Sequence, residues 1–193
     1  ILTALARRDA QEELERRVDE RTRELREQVV ERERSEKLQA ALFRIAEQAG
    51  SSETIEVFYS QVHGIVSDLL DARNFFIAVL TEDGGELEFP YSVDERDQKR
   101  PRRRLAKGLT EYVLASGQPL LADRDAIHGL VAEGKVQSFG TPSVCWLGVP
   151  LHLEGRAVGV IAVQSSTPDY LYTRRDQELL SFVSFNIAQA LER

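Results

Sequence analysis

Cys145 is the chain's one cysteine, and it stands next to the one tryptophan, Trp146. A lone thiol can attack, ligate or anchor a group. It cannot form and resolve a disulfide within one chain, and it excludes a multi-cysteine metal site. Its apolar neighbours favour a small buried side chain over a reactive thiolate. His63, His128 and His152 stand far apart, and none has a second His or Cys at ligand spacing. No metal is expected. A Gly-rich phosphate loop and a serine nucleophile elbow are both missing. The chain therefore reads as something other than an enzyme.

Recognition chemistry is concentrated in one stretch. Arg96, Lys99, Arg100, Arg102, Arg103 and Arg104 crowd into residues 94–104 against Asp94, Glu95 and Asp97, a local charge of +3. With Pro101 and no apolar residue, the stretch reads as a loop. Lys99, Arg100, Arg102, Arg103 and Arg104 then form an anion patch, for a phosphate-bearing ligand or an acidic partner surface. The bland alternative is a solvated loop. So short a patch, in a chain of net charge −7, predicts no nucleic-acid partner.

These residues hang on two unlike objects. Residues 1–37 hold 11 acids and 10 bases, while residues 38–193 hold 21 and 15. A segment more than half charged cannot bury a core of its own; it is disordered, or a helix leaning on a partner. Residues 9–36 lack Pro and Gly and are rich in Glu, Arg, Leu and Gln, all good helix formers. The apolar positions Leu14, Val18, Leu25 and Val29 make a sparse seam interrupted by Arg21, Gln28 and Arg32. A cleaner stripe follows at Leu38, Leu42, Ile45 and Ala49, out of phase with the first. Between them, residues 31–37 carry no apolar side chain. The pattern predicts one helix over about 1–49, roughly 70 Å long, ending at Gly50. A solvated single helix is one reading. The sharper one is a parallel two-stranded coiled coil, with Leu14, Val18, Leu25, Val29, Leu38, Leu42 and Ile45 as the dimerisation residues. A weak seam with a phase break suits a helix that shifts between two packings.

Residues 38–193 suit one domain. Ser51 and Ser52 offer N-cap oxygens to a second helix over 53–70. Residues 74–80 and 86–93, around Asp83-Gly84-Gly85, form a hairpin. A short helix runs from Gly108 to Ser116, and a short strand follows at Leu120-Leu121. A surface helix over 123–133 stops at Gly134. Residues 145–153 and 156–163 flank Glu154-Gly155 as a second hairpin, with Pro150 at an edge or bulge. Thr173 and Asp176 open a terminal helix as a capping-box variant. Strands flanked by helices give an α+β fold, an antiparallel sheet with helices on a face.

Three segments, in this order and spacing, resemble a GAF domain over residues 38–193: Asn74-Phe-Phe-Ile-Ala-Val; Gly108-Leu-Thr-Glu-Tyr-Val-Leu-Ala-Ser-Gly-Gln-Pro-Leu120; and Leu147-Gly-Val-Pro-Leu through Gly155-Arg-Ala-Val-Gly-Val-Ile161. The segment Leu14-Glu-Arg-Arg-Val-Asp-Glu-Arg-Thr-Arg-Glu-Leu25 is similar to the signalling coiled coils that precede such domains. The resemblance implies a cytoplasmic bacterial sensor feeding an output domain of the parent chain, a histidine kinase or a diguanylate cyclase. It also implies a small-molecule pocket bordered by Tyr91, Tyr112, Thr141 and Trp146. The lone Cys145 departs from the relatives that reduce methionine sulfoxide with several cysteines, and its flanking sequence lacks the Cys-His pair common in those that hold a covalent chromophore, so neither activity is expected; the cofactor is unknown. A ligand-free dimerisation scaffold is the alternative. No apolar run is long enough to span a bilayer. The absence of methionine reads as a piece of a longer chain.

Overall fold

In the computed structural model, residues 2–51, 54–95, 99–137, 143–168 and 170–192 are described. The chain divides into two units, Ile1–Ala40 and Ala41–Arg193. Helix α1 runs from Leu2 to Ser51. Ion pairs at helical spacing line its charged part, among them Arg8–Glu12 at 2.8 Å, Arg16–Glu20 at 2.6 Å and Arg32–Glu36 at 2.9 Å. Each is exposed and adds only a few tenths of a kcal/mol, about 0.3–0.5. Leu14, Val18, Leu25 and Val29 are exposed, and Leu38 and Leu42 are half-buried. Ile45, expected in an intermolecular seam, is 0% exposed. It belongs to the core of its own domain, because its stripe faces inward from Ala41 on. Gly50 does not end the helix; Ser51 closes it, its Oγ donating to the Glu47 carbonyl at 3.0 Å.

Helix α2 (Ile55–Ser67) is capped by Thr54, whose side chain accepts from the Val57 amide. Ser51 is therefore not its cap, and Ser52 lies outside the described residues. The strands are β1 (Phe75–Leu80), β2 (Glu86–Val93), β3 (Arg103–Arg104), β4 (Leu120–Asp123), β5 (Cys145–Leu153) and β6 (Arg156–Ser165). They form one antiparallel sheet in the order β3-β2-β1-β6-β5-β4. The stretch read as a loop over 94–104 thus contains a two-residue edge strand, pairing Arg104 with Glu86 and Arg103 with Leu87. The β5–β6 hairpin turns on Glu154 (φ 49°) and Gly155 (φ 76°), the left-handed pair that matches strand twist. Pro150 sits past the last rung shared with β4, Leu120↔Gly148, while it still stands opposite Val160 of β6.

Side chains alternate across each strand. Phe75, Ile77, Leu147, Val149, Ile161 and Val163 are buried on one face, which α2 and α5 (Arg174–Leu191) cover. Thr173 and Asp176 form the full capping box at the start of α5. Phe76, Ala78, Leu87, Trp146, Val160 and Ala162 make the core of the other face, with Val113 of α3 (Leu109–Ser116) packed among them. Ile127 of α4 (Arg124–Ala132) packs on the same cluster. No helix among the described residues is long and apolar enough to cross a membrane.

Candidate functional site

The face of the sheet under α3 is where aromatic and cationic side chains meet. At one level of the sheet the register sets Leu120 of β4, Gly148 of β5, Ala162 of β6, Phe76 of β1 and Ser92 of β2 in a row. Small residues lie at the middle of this row. Trp146, two residues before Gly148 on the same strand face, fills the space above it. A Cβ built on Gly148 would lie 2.2 Å from the Cη2 atom of Trp146. Trp146 is 3% exposed.

Towards the β2 end the face becomes cationic. The Arg100 guanidinium carbon lies 4.3 Å from the Phe76 ring centroid, and that of Arg103 lies 5.8 Å from Phe89. The two rings meet edge to face at 5.8 Å. Both contacts are of cation–π type. Burial pushes the Arg100 pKa down and Arg103 adds to that, while Asp94 opposes it. Arg103 is paired with Glu111 of α3, whose Oε1 also accepts from the Ala106 amide at 3.0 Å. The Glu111 side chain is 10% exposed, and its Oε2 is buried without a hydrogen-bond partner among the described residues. The Ser92 hydroxyl is buried and unpartnered in the same sense. Arg102 turns outward to Glu86 at 2.5 Å and Glu88 at 2.8 Å. Lys99 and Arg104 are exposed. The basic patch is thus dispersed: Arg102 and Arg103 are held by carboxylates, while Arg100 and Arg103 lie over aromatic rings of the sheet face.

The expected pocket residues divide in the same way. Trp146 lies on this face. Tyr112 is half-buried on α3, the helix that covers it. Tyr91 is on the opposite face. Its ring lies 6.3 Å from Tyr59, 5.5 Å from His63 and 5.8 Å from Phe75. A β-bulge at this point sets Phe89 and Pro90 together against Ala78, and so reverses the alternation between Phe89 and Tyr91. Tyr91 and Trp146 therefore share no pocket. Thr141 lies outside the described residues. Phe76 and Glu111 lie within two of the segments that carry the family resemblance, which does not single them out as site residues, and Ser92 lies in none of the three.

On the opposite face, His63 is held at both nitrogens. Nε2 lies 2.8 Å from the Ala72 carbonyl and Nδ1 lies 2.9 Å from the Tyr91 hydroxyl. A carbonyl only accepts, so in the neutral ring Nε2 carries the proton and Tyr91 donates to Nδ1. His63, Ser67, Leu70, Asp71, Ala72 and Arg73 line an open depression of about 300 Å³. Its cation is engaged, since Arg73 pairs with Asp71 at 2.6 Å and with Glu95 at 2.8 Å. No cluster of His, Cys, Asp and Glu suited to a metal occurs among the described residues. Cys145 is buried, and burial pushes its thiol pKa up, which disfavours the nucleophilic thiolate.

Two half-buried carboxylates, Asp71 and Glu111, predict an acid-sensitive domain. Arg73 holds the Asp71 carboxyl below its ordinary range. For Glu111, burial raises the pKa, but Arg103 and backbone N–H groups more than offset it, and the net shift is downward. Carboxyls with depressed folded pKa values stabilise the fold above the ordinary carboxylate range and lose that contribution as pH falls through the folded values. Thermal scans should therefore show a flat melting temperature from about pH 7 to about pH 5 and a decline below about pH 4. Glu111→Gln should melt lower at neutral pH and decline less steeply in acid. An unchanged acid slope in that variant would remove Glu111 from the account.

A family model of the GAF domain matches residues 52–192. Among solved structures, the GAF domain of an Acinetobacter phosphoenolpyruvate-protein phosphotransferase superposes with a TM-score of 0.65 at 17% identity, covering 79% of this chain and 91% of its own. A methyl-accepting chemotaxis protein, residues 122 to 287, gives 0.66 at 16% identity, covering 77% and 95%. The free methionine-R-sulfoxide reductase of Neisseria meningitidis, solved with its substrate, gives 0.64 at 15%, covering 80% and 88%. At such identities the likeness is one of fold. No curated protein matches the chain significantly.

Proposed function

This chain belongs to the GAF domain family, and from that premise we propose that it is the sensory module of a cytoplasmic bacterial signalling protein. In this reading it binds a small ligand on the Phe76–Trp146 face, or relays a neighbour's state. It acts as a parallel homodimer through the exposed seam of α1. An output domain elsewhere in the parent chain, a histidine kinase or a diguanylate cyclase, receives the signal. The observation that carries the reading is α1 itself, a single helix from Leu2 to Ser51 whose last turns supply Ala41 and Ile45 to the domain core. A change in domain packing moves Ala41 and Ile45, and a helix transmits such a shift along its axis. The presence of the same fold in a chemotaxis protein and a phosphotransferase supports a regulatory role.

A second reading, a ligand-free dimerisation scaffold, is favoured by one observation. Trp146 occupies the centre of the sheet face, where a ligand would otherwise sit.

The two seam frames of α1 make the sensory reading testable. Inserting four residues within positions 31–37 of the parent protein turns the helix by a little over one turn, about 40° out of phase. Output activity should then be lost or locked on. Output that remains regulated as in the wild type would end the reading.

A further inference from the structure

Resting on the reading of α1 as a seam between copies, we infer that the charged arm has a second mode of self-pairing. A second copy of the chain docks antiparallel across Leu14–Val29, in competition with the parallel pair. Every residue from 3 to 37 is exposed except Thr22, which is half-buried. At 3.6 residues per turn, Leu14, Val18, Leu25 and Val29 fall within about 60° of one face. Their 4-7-4 spacing reads the same from either end, with its midpoint between Arg21 and Thr22. A two-fold axis at that midpoint lays Leu14 on Val29 of the second copy and Val18 on its Leu25. The same contacts repeat with the copies exchanged, as an isologous interface requires.

Charge complementarity singles out a second copy in this direction. The same face continues to Arg7 and Gln11 at one end and to Arg32 and Glu36 at the other. The antiparallel axis lays Arg7 on Glu36 of the second copy and Gln11 on its Arg32. Arg32 holds Glu36 within its own helix at 2.9 Å, so Glu36 then bridges the two copies. Beside the seam, the axis brings Glu15 to Arg26 and Arg8 to Glu33, opposite charges in both cases. Parallel packing in register instead sets Arg7, Arg32 and Glu36 each against its own like.

Glu15 and Arg26 carry the most weight. The arm is laced with ion pairs at helical spacing. Yet neither Glu15 nor Arg26 has an opposite charge three or four residues away on its own helix. The antiparallel pair supplies one to each. Parallel and antiparallel pairing use one face, so each excludes the other. The parallel pair sets the Ala40 ends of two arms side by side, and the antiparallel pair sets them at opposite ends of the paired stretch. An output that needs two copies side by side is silent in the antiparallel pair, which makes this pairing a resting state.

The test uses the whole 193-residue chain. Ala10→Cys and Ser35→Cys variants are purified apart, mixed and treated with a short bismaleimide. Both positions flank the seam, and the antiparallel axis brings them to one level. In a parallel pair they lie roughly 37 Å apart along the axis. Cys145 is buried, and the wild-type chain is run as its control. A cross-linked product containing one of each variant, identified by mass, should form. Leu25→Glu with Val29→Glu, carried in both variants, should abolish it. Arg26→Glu should weaken the antiparallel pair about 10-fold, because two attractions per dimer become repulsions. Adding Glu15→Arg should restore it, since the exchanged charges meet again only across an antiparallel seam.

Cross-links between like positions alone overturn the inference and leave the parallel seam standing. A mixed product that Arg26→Glu leaves unchanged, or that the double exchange does not restore, overturns the inference as well. A chain that is monomeric at its highest soluble concentration overturns the seam reading and the inference together.

Discussion

Gly148→Ala should destabilise the domain by about 1–3 kcal/mol, the usual cost of overpacking a core, and Gly148→Val by more. For a domain of this size that is a fall of roughly 2–12 °C in melting temperature. The cause is local. The added Cβ would lie 2.2 Å from the Cη2 atom of Trp146, a distance no pair of carbons tolerates. Either the indole leaves the sheet face or β5 shifts against β4 and β6. Both routes wet the only tryptophan, so its emission should move to longer wavelength as stability falls. Wild-type melting with wild-type emission would mean that the ring does not rest on Gly148. Trp146→Phe in the Gly148→Ala background should recover part of the loss, because the smaller ring needs less of the glycine's space.

Leu25→Glu combined with Val29→Glu should convert the proposed dimer to a monomer without harming the domain. Both side chains are exposed on α1, at 49% and 55%. Their loss costs an isolated helix little, but a coiled-coil seam loses the burial of each. At about 1.5–3 kcal/mol for each buried apolar side chain, and with four such side chains lost per dimer, association weakens by at least about 10,000-fold. Sedimentation equilibrium reads the change, and the thermal transition of the domain should stay in place. A wild-type chain that is monomeric at its highest soluble concentration would end the dimer proposal outright. The same experiment on Ile45 would not be informative, since Ile45 is a core residue of its own domain.

Much of the fold was legible because its signals are local. The β5–β6 hairpin is written in a β-rich run on either side of Glu154-Gly155, and the start of α5 in the three-residue spacing of Thr173 and Asp176. Two apolar turns ending at Leu42 and Ile45 look alike whether they face a partner chain or the helix's own domain, so the pattern alone places Ile45 in the seam. Burial is decided by elements that arrive later in the chain. The edge strand at Arg103-Arg104 was hidden for another reason. Two arginines have no β-pattern, and their pairing with Glu86 and Leu87 exists only once β2 is in place.

The site was legible in part. Trp146 stood out by its type, and the basic run by its charge. That Arg100 lies over Phe76 while Arg102 turns outward depends on loop geometry that composition does not encode. The family resemblance sets Tyr91 beside Trp146 as borders of one pocket. The bulge at Phe89-Pro90 put it on the other side of the sheet. A bulge shifts register by one residue and leaves composition unchanged, so pattern reading passes over it. Pro90 within a strand is the one local sign that the ladder is broken there.

The sheet order also fixes a timetable for synthesis. β1 lies between β2, its neighbour in sequence, and β6, so Phe75 waits for Val163 before the centre of the sheet can close. Helix α1 has no such wait. Helices form within about a microsecond, whereas pairings between distant strands take milliseconds to seconds. On the ribosome the helical arm is therefore complete and exposed while its own domain still lacks its middle. Neighbouring nascent chains on one message carry that arm at the same stage, so the arms can meet before either domain has finished folding.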